Sequence, residues 1–102
     1  MKSEGANSLP VKNNPLLVRL KAAAALYPNP AKNKVEIALK GFDAGYIKLQ
    51  LLSNTGKLVK AETRLLFSGN ETMVFMFSEI SGVYYLILRQ GTQILKSKLI
   101  IQ

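Results

Sequence analysis

From Val35 to the last residue the sequence repeats one pattern: a short apolar run, mostly of period two, then a cluster of small or polar turn residues. Val35, Ile37 and Leu39 alternate with Glu36, Ala38 and Lys40. Ile47, Leu49 and Leu51 alternate with Lys48, Gln50 and Leu52. Further runs span 58–66, 72–77, 83–89 and 94–101, separated by breaks at 41–45, 53–56, 68–70, 78–82 and 90–92. A period of two places successive side chains on opposite faces of a strand. Several short strands at this spacing close into a sandwich or a barrel. No segment after Pro30 carries a helical period, so the pattern predicts an all-β domain.

The first thirty residues read differently. Residues 1–15 are polar and contain Gly5, Pro10, Asn13, Asn14 and Pro15, the composition of a flexible lead-in. The domain is expected over 16–102. In Leu16–Leu26 the four alanines favour helix, whereas Leu16, Val18 and Leu20 alternate with Leu17, Arg19 and Lys21 as in a strand. Pro15 and Pro28 bound the segment closely and exclude a long helix, so a strand is expected. In Tyr27-Pro28-Asn29-Pro30-Ala31 each proline removes a backbone donor and biases its predecessor toward an extended conformation. This reads as a stiff connection that carries the chain from one sheet to another. Two hairpin turns are marked by Asn54-Thr55-Gly56 and Gln90-Gly91-Thr92, in which glycine can take positive φ.

The side-chain inventory excludes most chemistry. With no histidine and no cysteine, a Ser–His–Asp arrangement, a disulfide and a zinc site are out of reach. No metal and no cofactor are expected. Among the six carboxylates, Glu36 and Asp43 are the closest in sequence, and glycosidase-type chemistry would need a larger cleft. Thr55-Gly56-Lys57 lacks the leading glycine and helical context of a phosphate loop. No run reaches the roughly 18 apolar residues of a membrane span. The first residues contain no apolar signal core, so an exported protein would carry its signal peptide elsewhere, on a longer chain. Lys and Arg number 14 against 6 Asp and Glu, a net charge of +8 that suits anionic partners or solvated strand faces. Tyr84 and Tyr85 are adjacent and point to opposite faces, which leaves one core and one surface tyrosine and disfavours a base-stacking platform. Phe67, Phe75 and Phe77 read as core.

Four segments follow in a telling order: Tyr27-Pro28-Asn29-Pro30-Ala31, Asn54-Thr55-Gly56-Lys57-Leu58-Val59, Ser81-Gly82-Val83-Tyr84-Tyr85-Leu86, and Lys96-Ser97-Lys98-Leu99-Ile100-Ile101-Gln102. Their order and spacing resemble the type A C-terminal sorting domain of the type IX (Por) secretion system of Bacteroidetes. The resemblance covers roughly residues 20–102. It implies an immunoglobulin-like β-sandwich of about seven antiparallel strands that travels as the tail of a larger cargo. It also implies transit through the periplasm and outer membrane, recognition by the translocon and its outer-membrane shuttle protein, and delivery to the cell surface. A sortase would then remove the tail and commonly join the cargo to anionic lipopolysaccharide. On this resemblance Tyr27, Pro28, Asn29, Pro30, Thr55, Gly56, Lys57, Gly82 and Tyr84 are structural motif residues. Lys96, Lys98, Leu99, Ile100, Ile101 and Gln102 are the sorting signal.

The residues alone leave three functions to weigh: a non-catalytic targeting module, a surface sandwich that binds polysaccharide or mediates adhesion, and a basic nucleic-acid-binding domain. The second requires an exposed aromatic row, and the chain has no tryptophan. The third requires salt-dependent binding to DNA or RNA, and no nucleic-acid partner is expected. In the last run Leu95, Leu99 and Ile101 share one face, expected to be core. Lys96, Lys98 and Ile100 share the other, expected to be partly exposed. An exposed terminal strand could also pair with a second copy as a homodimer.

Overall fold

A computed structural model describes residues 21–102. It contains seven strands: β1 (Ala23–Tyr27), β2 (Lys34–Lys40), β3 (Gly45–Ser53), β4 (Leu58–Leu66), β5 (Thr72–Met76), β6 (Gly82–Gln90) and β7 (Gln93–Ile101). They form two antiparallel sheets, in the orders β1-β2-β5 and β4-β3-β6-β7. The chain is thus all-β, with the sandwich arrangement of an immunoglobulin-like fold. The lead-in 1–15 and residues 16–20 of the expected first strand lie outside the described residues. Within them the alanine run does form a strand, through Tyr27.

The period of two builds the core. Val35, Ile37 and Leu39 of β2 and Met73 and Phe75 of β5 point inward from the smaller sheet. Ile47, Leu49 and Leu51 of β3, Tyr84, Leu86 and Leu88 of β6, and Leu99 and Ile101 of β7 meet them from the larger one. Burial of each large aliphatic side chain stabilises by roughly 1.5–3 kcal/mol. Tyr84 also donates its hydroxyl to the carbonyl of Ile80 at 2.7 Å. A tyrosine near the start of this strand, bonded to backbone a few residues upstream, is the tyrosine corner of immunoglobulin-like sandwiches. Phe75 and Phe77 are core as expected. Phe67 is not: it follows the end of β4 and is 83% exposed.

The two sides of the sandwich are closed differently. At the β4/β5 side, Lys60, Glu62 and Arg64 lie directly across from the core residues Leu51, Leu49 and Ile47 and therefore face inward. Arg64 Nη2 donates to the carbonyl of Val74 at 2.8 Å, and Lys60 Nζ donates to that of Met76. These carbonyls belong to the edge strand β5, so the edge is occupied by cationic side chains. Glu62 pairs with both cations, at 3.2 Å to Lys60 and 2.7 Å to Arg64. Partial burial pushes its carboxyl up, but the hydrogen bonds from Arg64 and Lys60 outweigh this and hold it below its ordinary value.

At the β1/β7 side the closure comes from backbone and one amide. The connection after β1 was expected to carry the chain to the other sheet. It does reach that sheet, but it returns: β2 pairs with β1 in the sheet the chain had left. Both X–Pro bonds, Tyr27–Pro28 and Asn29–Pro30, are cis. The return has no local signal in the sequence, because the segment's partner lies about seventy residues away.

Candidate functional site

The terminal strand β7 and the segment that holds it form the most specific construction in the molecule. β7 runs antiparallel to β6, with Tyr84 opposite Leu99 and Gly82 opposite Ile101. Leu99 and Ile101 are buried, whereas Lys96 and Lys98 are exposed and Ile100 is half-buried, as the alternation requires. Leu95 is only partly buried, because it sits toward the open end of the β1/β7 side.

The outer edge of β7 is completed by residues 29–31. The Asn29 side chain donates from Nδ2 to the Lys98 carbonyl and accepts at Oδ1 from the Ile100 amide, both at 2.9 Å. Ala31 then donates its amide to the Ile100 carbonyl at 2.8 Å and accepts from the Gln102 amide at 2.7 Å, forming a parallel bridge opposite Ile101. One amide side chain and one residue of backbone therefore stand in for a neighbouring strand. A planar carboxamide carries a donor and an acceptor on one short stem, as a peptide unit does, which suits asparagine to the position. Pro28 and Pro30 flank Asn29 and fix φ on both sides, so little conformational freedom is lost in holding it. A second copy could pair with β7 only along its N-terminal half, since the outward groups from Lys98 to Gln102 are occupied.

The expected motif residues converge on this end. Ser53, the last residue of β3, lies opposite Tyr84, which lies opposite Leu99. The Ser53–Lys57 turn therefore neighbours the ends of β6 and β7. Gly56 has φ of +89° and donates to Ser53 O at 2.9 Å, a conformation in which a β-branched residue would be strained. The Ser53 hydroxyl bonds Thr55 Oγ1 at 2.9 Å and accepts from the Lys57 amide at 3.2 Å. Ser53, expected only as part of a break, thus closes this turn through its hydroxyl. Tyr27 is 72% exposed on the outer face of the smaller sheet, so its ring takes no part in the core.

No catalytic constellation accompanies this end. Glu36 lies opposite Tyr27 and Val74 on the outer face of the smaller sheet, while Asp43 lies in the β2–β3 loop. Among the described residues no group of acidic, histidine or cysteine side chains could hold a metal. An open hollow of ≈ 530 Å³ is lined by Lys21, Ala23, Lys40, Gly41, Phe42 and Asn70, with no carboxylate. Among the described residues the exposed aromatic side chains are distributed over Tyr27, Tyr46 and Phe67, on different elements and not in one row. No helix of the described residues is long and apolar enough to cross a membrane.

Fold and site together define a small immunoglobulin-like β-sandwich whose last strand is held by a motif near its first. No curated protein matches the chain. The model of the secretion system C-terminal sorting domain matches residues 25–102. The chain belongs to that family, the sorting domains of the type IX secretion system. Targeting to the cell surface by way of the outer membrane follows from that membership.

Proposed function

We propose that residues 16–102 act as a non-catalytic tail that the type IX translocon and its outer-membrane shuttle protein recognise through the terminal strand, and that a sortase then removes from the cargo. Lys96, Lys98, Leu99, Ile100, Ile101 and Gln102 are the residues assigned to recognition. The observation that carries the reading is the family match, which runs through the strand that Asn29 and Ala31 hold in register. Lys96 and Lys98 project from the face opposite the core, available to a partner without unfolding. Leu99 and Ile101 set the register that presents them. Any homodimer would use an edge that residues 29–31 leave free.

The test is Lys96→Glu with Lys98→Glu in a reporter that carries an N-terminal signal peptide and this domain at its C-terminus, expressed in a host with type IX secretion. The double variant is expected to accumulate in the periplasm while its purified domain melts close to the parent. Normal surface delivery of the variant would remove the lysines from the signal.

A further inference from the structure

The outer face of the four-stranded sheet carries a charge arrangement that the fold does not need. Lys48 of β3 and Arg89 of β6 lie directly opposite each other, Lys96 lies opposite Ile87, and Lys98 lies opposite Tyr85. The alternation puts these side chains on the face turned away from the core. The carboxylates of the described residues lie elsewhere: Glu36 on the other sheet, Glu62 on the inward side of β4, and Asp43, Glu71 and Glu79 in loops. Like charges placed directly across two strands repel. The pair Lys48 and Arg89 thus works against the sheet, while Arg89 Nε donates to Gln50 Oε1 at 2.8 Å.

Apolar side chains share this face with the cations. Ile87 is 7% exposed although it points away from the core. The Lys96 ammonium lies 4.6 Å above the centre of the Tyr85 ring. Tyr46 and Leu65, opposite each other at the far end of β3 and β4, remain 70% and 46% exposed, and Ile94 of β7 is 59% exposed. Exposed apolar side chains interleaved with unmatched charge mark a protein-docking surface.

We propose that this face, with Lys48, Arg89, Lys96 and Lys98 beside the exposed Tyr46, Leu65 and Ile94, docks an acidic and partly apolar protein surface. The proposal rests on the sorting reading and extends it from the terminal strand to the neighbouring strands β3 and β6.

The decisive variant is Lys48→Glu, which places opposite charges across β3 and β6. The fold is expected to melt at or above the parent temperature, while the face loses its uniform sign. In the reporter assay, surface delivery should fall about tenfold or more. Lys34→Glu, the same charge change on the outer face of the other sheet, should deliver normally. Equal losses from the two would show that net charge matters and not this face, and equal delivery by Lys48→Glu and the parent would overturn the proposal. Should Lys48→Glu fail to fold, Lys48→Gln with Arg89→Gln removes charge from the face without reversing it and reads the same loss. A second arm uses the purified domain alone with poly-L-glutamate and with phosphatidylglycerol vesicles at low salt. Salt-sensitive binding to poly-L-glutamate that Lys48→Glu weakens about tenfold supports the face even if the parent reporter is not exported, an outcome that would sink the sorting reading by itself. Binding that goes to the vesicles instead would make it a lipid-facing surface and overturn the protein partner.

Discussion

At the β4/β5 side of the sandwich two long cationic side chains reach across to edge carbonyls. At the β1/β7 side one short amide and one peptide unit complete an edge strand. The first closure is adaptable: Lys60 and Arg64 are about a third exposed, pay side-chain entropy to reach their acceptors, and are screened by salt. The second depends on one residue type at one position and holds the terminal strand β7. The difference teaches that edge protection is generic on one side and tied to the identity of the tail on the other.

Ala31→Pro should break the second closure most severely. It removes the amide that bonds Ile100 and forces a ring into a site that is 1% exposed. We expect a loss of about 3 kcal/mol, read as a lower denaturation midpoint. Asn29→Ala should cost about 1–2 kcal/mol through the two lost bonds to β7. Hydrogen exchange should show the Ile100 amide exposed while the core of β3 stays protected. An unchanged exchange rate at Ile100 would show that the amide does not hold the strand.

On the opposite side, Lys60→Met with Arg64→Met should cost less, on the order of 1 kcal/mol for the pair, and should reduce the loss of stability that salt causes by screening the Glu62 pairs. Size-exclusion chromatography should also show more self-association, because the β5 edge loses its cations. The smallest effect is that of pH on Glu62. Its carboxyl is held below its ordinary value, so it contributes stability above that value, and the contribution disappears as pH falls through the depressed one. The stability profile of Glu62→Gln should therefore be flatter than the parent's in acid, and parallel profiles would show that the carboxylate is not coupled to folding.

Much of this was legible in the sequence, for local reasons. Alternation in Val35–Leu39, Ile47–Leu51 and Leu99–Ile101 placed the core, because one face of each strand must be apolar whatever its partner. Gly56 announced its turn because positive φ is a property of the residue itself. The misreadings are non-local. Phe67 looked like core because its type is apolar, but it falls past the end of β4. The Tyr27–Ala31 connection looked like a sheet-to-sheet crossing because prolines report stiffness and not destination. Gly69 passed as an ordinary break, yet a Cβ there would overlap the Phe42 carbonyl oxygen, a close approach that only folding reveals. The cationic face was hidden because Lys48, Arg89 and the two lysines of β7 come from three strands, and only the register assembles them.

The hold of residues 29–31 on β7 also sets a timetable. A ribosome finishes Asn29 and Ala31 about seventy residues before their acceptors and donors at Lys98, Ile100 and Gln102 exist. Until the last of these emerges, one side of the sandwich stands open, and contacts this distant in sequence form late and slowly. A chain that stopped before Ile100 would leave the Asn29 segment only the Lys98 carbonyl, and Ala31 no partner in β7. A closed fold is thus a molecular receipt that the chain has been made through to residue 102.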